Sequence, residues 1–283
     1  MKFVPMKDLL RRAMEKGYAV PGFYVWNAES MRQVLEAAAR LKAPIILMSG
    51  PGETASLPMP VMAEVARAAG KCYDIPSALQ LDHGRSFEHV EECLASGYTS
   101  VMLDYSSKPF AENVEALKRV VAMAHPMNVS VEGEIGAVGR ADLITKEGGH
   151  ASNLTDPDEA LAYAQATGVD ALAVSIGNAH GQYAKLPRFD FDRLEKIHAK
   201  VDLPLVLHGG SGTPDDDLKR AISLGIAKVN IATDLALAVK GSLQEQWKKG
   251  LNPWFPTSSG EAYKTMAPVV EKWIRRVGAE GRG

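Results

Sequence analysis

Eight short apolar runs, each separated from the next by a longer stretch with helical spacing, constrain this chain more than any other feature. The runs are Ala19–Val25, Ile45–Met48, Ala78–Leu81, Ser100–Leu103, Val129–Val131, Ala171–Ser175, Leu205–Leu207 and Lys228–Ile231. Among the segments between them, Ser30–Leu41, Val61–Ala69, Phe87–Ala95, Val114–Ala124, Asp158–Ala166, Asp192–Ala199 and Pro214–Leu224 repeat apolar residues at helical intervals. An alternation this regular, with no low-complexity linker, predicts a closed (β/α)8 TIM barrel rather than an open sheet, in one domain over 1–283. Capping residues beside proline at Thr155-Asp156-Pro157 and Thr213-Pro214-Asp215 mark helix starts. An amphipathic N-terminal helix precedes the barrel. After it comes a helical extension, Glu261–Val277, with Trp273 and Ile274 on one face. The extension is expected to pack on the barrel or on another subunit; the competing reading sends Arg275 or Arg276 into a neighbouring site.

With 46% hydrophobic residues in 283, the chain has ample material for one large core. A net charge of −2 without a long basic run argues against nucleic acid or an anionic membrane as partner, so a small molecule is the expected substrate. No apolar run approaches the roughly 18 residues of a membrane span, and the N-terminus lacks a signal peptide's apolar core. The expected location is therefore cytoplasmic. Cys72 and Cys93 form no metal pair or disulfide framework and are expected to be buried, reduced thiols.

In such a barrel the active site lies at the carboxyl ends of the strands, so the polar residues that follow each run carry the information. They are Asp82-His83-Gly84 after strand three, Asp104 after four, Glu132 and Glu134 on five, His180-Gly181 after six, His208 after seven and Asn230 on eight. Three of the seven histidines thus fall on one face. Three imidazoles from separate strands can converge on the axis as a catalytic zinc site with an open position. His89, His125, His150 and His198 read as surface or packing residues.

The turn after strand seven, LHGGSGTP, places Gly209, Gly210 and Gly212 where backbone N–H groups can approach a phosphate. Barrels frequently build a phosphate site from the loops after strands seven and eight, here Gly209–Thr213 and Asn230–Thr233, with Ser211 and Thr233 supplying hydroxyls. The connection Gly136–Leu154, with four glycines, is longer than most loops and reads as a lid on the active face. Its Asp142 is a candidate proton-transfer group delivered on closure.

Taken together, LQLDHG, SVEGEIG, VSIGNAHG, LVLHGGSG and KVNIATDL resemble the class II, zinc-dependent ketose-bisphosphate aldolases over essentially the whole length, in a pattern most like the tagatose- and fructose-bisphosphate enzymes. The resemblance implies zinc held by His83, His180 and His208, and Asp82 as the acid/base on a substrate hydroxyl. It also implies a dihydroxyacetone phosphate site made by Gly181, Gly209, Gly210, Ser211, Asn230, Ile231, Ala232 and Thr233. Glu134 and Asp104 would tune the metal region, with room for a monovalent cation near the phosphate. The implied reaction is reversible cleavage of a ketose 1,6-bisphosphate, of tagatose or fructose type, to dihydroxyacetone phosphate and an aldehyde such as glyceraldehyde 3-phosphate. A homo-oligomer, dimer or tetramer, goes with the family.

Two departures stand out. Asp142 occupies the position of the family's lid glutamate, followed by Leu143-Ile144 instead of further acids. PGFYVWN replaces the usual P-A-F-N, which puts Tyr24 at the asparagine position, where it would contact substrate or pack on the lid. Ser49, after strand two, suits the distal end of the substrate. The rival readings are an aldolase for a ketose 1-phosphate or another acceptor, a zinc hydrolase, a Schiff-base aldolase using Lys228, and a non-catalytic accessory barrel. Lys228 is expected to begin its strand at the inactive face, which disfavours the Schiff base.

Overall fold

Strands buried on both faces are predominantly apolar, and the eight runs form such strands. In the computed structural model, which describes residues 3–55, 57–140, 153–181, 187–250, 252 and 254–283, they are β1 Val20–Tyr24, β2 Ile45–Ser49, β3 Ser77–Gly84, β4 Ser100–Leu103, β5 Ser130–Ile135, β6 Ala171–Val174, β7 Leu205–Leu207 and β8 Ile226–Ile231. All neighbours are parallel, and the sheet closes where β1 pairs with β8, Gly22 opposite Asn230. The TIM barrel is therefore the fold.

The helices are α1 Met6–Lys16, α2 Ala28–Arg40, α3 Pro51–Thr54, α4 Met59–Gly70, α5 Phe87–Ala95, α6 Phe110–Ala124, α7 Pro157–Thr167, α8 Phe191–Lys200, α9 Asp215–Ser223, α10 Thr233–Lys248, α11 Phe255–Lys264 and α12 Met266–Arg276. Helix α1 buries Met6, Leu9, Leu10 and Ala13. The segment around its start is tied to residues that begin barrel strands: Val4 N–H donates to the Ser77 carbonyl, and Lys7 N–H to Ser130 Oγ at 3.0 Å. It thus closes the amino-terminal end, and the opposite end is left for the site.

Asp156 caps α7 as expected, accepting from the Asp158 and Glu159 N–H groups. At α9 the expectation fails: Pro214 holds the cap position without a side-chain bond, and Thr213 is buried. The expected C-terminal helix is two, broken at Thr265. Pro268 explains the break, since it cannot donate to the Lys264 carbonyl and its ring would crowd it. Trp273 and Ile274 are fully buried, so the extension packs on the barrel. Arg276 stacks on Trp273 and bonds Asp215 and the Thr213 carbonyl, while Arg275 pairs with Glu271 and Glu280. Both arginines have structural partners. Of the two cysteines, Cys93 is buried as expected but Cys72 is exposed.

Candidate metal centre and active site

Successive side chains on a regular strand point to opposite faces, yet Asp82 and His83 both turn into the carboxyl mouth of the barrel. The end of β3 makes this possible. Its pairing with β4 shifts register between Leu81 and Gly84, and His83 takes a left-handed backbone with φ +49°. Such an irregularity re-aims a side chain at some conformational cost. It brings His83 Nε2 to 3.8 Å from Asp82 Oδ2.

His83, His180 and His208 converge there, with ring centroids 4.6 to 5.6 Å apart. Nitrogens of the three lie within 4.8 Å of one another. His83 Nδ1 bonds Asp104 Oδ2 at 2.8 Å, and His208 Nε2 bonds Glu132 Oε1 at 2.9 Å. Both remaining nitrogens, His83 Nε2 and His208 Nδ1, are buried without a hydrogen-bond partner, as is Glu134 Oε2. His208 Nδ1 and Glu134 Oε2 face each other at 3.3 Å outside hydrogen-bond geometry. A carboxylate on one imidazole nitrogen and a bare second nitrogen is the arrangement that orients metal-ligating histidines. The donor set, three imidazoles with a neighbouring carboxylate, fits a divalent metal of the zinc type.

Burial would lower His208, but the carboxylates of Glu132 and Glu134 push it up to about 10. Burial and the two neighbouring imidazoles push His180 down to about 3. Burial alone would raise the Asp82 carboxyl; the charges on His83, Lys228 and His208, with the Tyr24 hydroxyl, outweigh it and hold the group below the usual carboxylate range. Asp104 also overcomes its burial through His83 and Ser106 and is held low.

Asp82 is 1% exposed. Its Oδ2 accepts from the Tyr24 hydroxyl at 2.5 Å, and Asn230 Nδ2 lies 3.3 Å from both of its oxygens. Tyr24 thus contacts Asp82 directly. The lid it was alternatively expected to pack on falls largely, Asp142 included, among residues 141–152, outside the described residues.

Two cavities meet at this centre. A cleft of about 480 Å³ runs over His83, His180, Asp104 and Glu134 to Glu53, Arg85 and Ser106. A smaller one, about 120 Å³, is lined by Gly181, Gly209, Ser211, Asn230, Ala232 and Thr233, with His180 and Tyr24. Helix α10 begins at Thr233 beside it, so a helix N-terminus adjoins an anion-sized space. Gly209 has φ +66°, and an added Cβ would lie 1.9 Å from the Ala179 carbonyl oxygen. Gly210 and Ile231 sit beside this cavity in sequence but do not line it. Ser49 is fully buried, its hydroxyl bonded to Tyr98 at 2.9 Å, and so lies in the core instead of the cleft.

Lys228 also departs from expectation. It is the third residue of β8, fully buried, and its ammonium contacts Glu132 Oε2 at 2.8 Å. Gln80 Nε2 donates to the same oxygen at 2.8 Å. This buried pair lies directly behind His208, with its charge committed to Glu132. The sequence signal was present, since a polar residue inside an apolar strand run needs a partner. Arg85, Glu53 and Ser106 escaped notice because they lie one to four residues beyond their strands, among ordinary loop polar groups.

The chain matches the family model described as fructose-bisphosphate aldolase class-II over residues 4–282. Among solved structures it is similar to the YdjI aldolase from Escherichia coli K12, with 33% identity, a TM-score of 0.89 and 99% of each chain covered. It is also similar to the structure of a putative fructose-1,6-biphosphate aldolase from Coccidioides immitis, at 25% identity, TM-score 0.85, covering 97% of this chain and 96% of that one. Fructose-bisphosphate aldolase from Campylobacter jejuni, at 21% identity and TM-score 0.83 over 98% and 95%, shares the fold.

Proposed function

Because this chain belongs to the class-II fructose-bisphosphate aldolase family, we propose that it reversibly cleaves the C3–C4 bond of a phosphorylated ketose, yielding dihydroxyacetone phosphate and an aldehyde. The observation that carries the reading is the bare nitrogen pair, His83 Nε2 and His208 Nδ1, facing a common point with His180 beside the Asp82 carboxylate. These histidines would hold zinc, with Glu134 and Asp104 at its edge. When bound, zinc supplies Lewis-acid polarisation of the substrate carbonyl, worth several kcal/mol.

The rest falls to the chain's own groups. Asp82, ionised and fixed by Tyr24 and Asn230, takes the proton of the C4 hydroxyl as the bond breaks. The electron pair stays with the C1–C3 half, whose C3 then takes a proton; Asp142 is our candidate donor. The glycine-lined cavity holds the C1 phosphate through Ser211, Thr233 and backbone N–H groups, with a monovalent cation as a further candidate occupant. The aldehyde half lies toward Arg85, Glu53 and Ser106. A 1,6-bisphosphate of tagatose or fructose type is the first substrate to try. A single domain over 1–283, a dimer or tetramer and cytoplasmic action go with this reading on the resemblance alone.

The test is release of dihydroxyacetone phosphate from a panel of ketose 1-phosphates and 1,6-bisphosphates, with chelator and zinc add-back. Zinc-dependent release supports the lyase, and the preferred member names the aldehyde half. Release from no member by zinc-loaded protein would leave a zinc hydrolase or an accessory subunit.

A further inference from the structure

The contact between Tyr24 and Asp82 is not required by the fold. The two residues lie on β1 and β3, which do not pair; β2 runs between them. Tyr24 is the last residue of its strand, so its ring can pass over the end of β2. Gly50 follows that end. A Cβ at Gly50 would lie 3.1 Å from the Asp82 carbonyl oxygen and at an ordinary contact distance, 3.4 Å, from the Tyr24 hydroxyl, so this turn packs closely against both residues.

The two oxygens of Asp82 are held unequally. Oδ2 accepts the 2.5 Å bond from Tyr24 and faces His83 Nε2 at 3.8 Å. Oδ1 has the Asn230 amide at 3.3 Å, which is shared with Oδ2. A hydrogen bond to an ionised acceptor is among the stronger ones, and shorter contacts hold an orientation more tightly. The phenol therefore pins one oxygen and leaves the other as the less engaged proton acceptor. Tyr24 also borders both the metal cleft and the glycine-lined cavity, so it stands where the two halves of a bound substrate would join.

We propose that Tyr24 is a positioning residue for Asp82: its hydroxyl fixes Oδ2 so that Oδ1 meets the substrate hydroxyl at the bond being broken. This rests on the aldolase reading above. The atoms balance without a new reactant, because Tyr24 keeps its proton throughout and Asp82 alone accepts the one from the C4 hydroxyl.

The test is Tyr24→Phe, which removes only the hydroxyl, in the zinc-loaded full chain and in an Asp82→Asn background. On the best ketose phosphate, the expected result is a fall in kcat of about tenfold or more with KM within about twofold, as for an interaction that acts on the transition state. Zinc stoichiometry should stay at the wild-type value, and the melting curve should show the variant fully folded at the assay temperature. In the Asp82→Asn background the same change should cost less than about twofold, because the group it acts through is gone. An unchanged kcat, a loss confined to KM, or equal losses in both backgrounds would overturn the proposal. If Tyr24→Phe does not fold, 3,5-difluorotyrosine at position 24 keeps the shape and alters the donor. It should then shift kcat at unchanged melting temperature, and an unshifted kcat would be equally decisive against. A wild type that cleaves no panel member ends the aldolase reading and this proposal together; an active wild type with an unaffected variant ends this proposal alone.

Discussion

Lys228 and Glu132 form an ion pair of 2.8 Å inside the barrel, both fully buried, and the other oxygen of Glu132 holds His208 Nε2 at 2.9 Å. The ammonium keeps Glu132 ionised and in place, so Glu132 can in turn fix the ring of a candidate metal ligand. Burial would raise the Glu132 carboxyl, but Lys228 and His208 lower it.

Removing the ammonium should be costly. Lys228→Met leaves a buried carboxylate without its main counter-charge, and losses of about 3–5 kcal/mol are typical for a broken buried pair. Urea unfolding of the zinc-free protein measures it. A loss below about 1 kcal/mol would mean that water or rearrangement replaces the lysine.

The bond between Asp104 and His83 predicts an effect on metal affinity. Asp104→Ala should weaken zinc binding by about 10–100-fold, the usual consequence of removing a carboxylate behind a ligating histidine. Competition with a chromophoric chelator reads this directly. Unchanged affinity would show that His83 is oriented by packing alone.

Gly209 tests the glycine-lined cavity. Its left-handed backbone and the 1.9 Å clash of any Cβ with the Ala179 carbonyl leave no room for a side chain. Gly209→Ala should shift the loop and raise KM for a phosphorylated substrate by about tenfold or more, with stability reduced by about 1–3 kcal/mol. Steady-state kinetics beside thermal melting separates the two effects. A wild-type KM would place the phosphate elsewhere.

Buried tyrosines predict alkaline behaviour. Burial raises the Tyr98 and Tyr163 hydroxyls above their ordinary 10.0, and nearby ionisable groups raise Tyr163 further, Glu134 and Asp104 among them. The unfolded chain then loses these protons near pH 10 while the folded chain keeps them. Stability from this source is complete below about pH 10 and declines as pH rises, by up to about 1.4 kcal/mol per unit for each tyrosine. Urea unfolding between pH 9 and 11 measures the slope. Tyr98→Phe and Tyr163→Phe should each flatten it, and an unaltered slope in both would contradict the assignment.

The periodic sequence by itself determined the barrel, because a strand enclosed on both faces is predominantly apolar and a helix outside it is apolar on one side. It also led to Asp82, His83, His180 and His208, since polar residues just past an apolar strand lie at the working face of this fold. The pairing of those groups was decided only in three dimensions. Tyr24 meets Asp82 across 58 positions and Lys228 meets Glu132 across 96, and no local pattern encodes contacts made by strands that wrap around a closed sheet. Ser49 looked like a substrate residue because it follows a strand, yet its side chain turns into the core toward Tyr98. A strand's last residue can face either way, and register and twist decide which. The turn of His83 is likewise tertiary: a left-handed backbone is uncommon even at histidine, and it persists only where surrounding structure holds it.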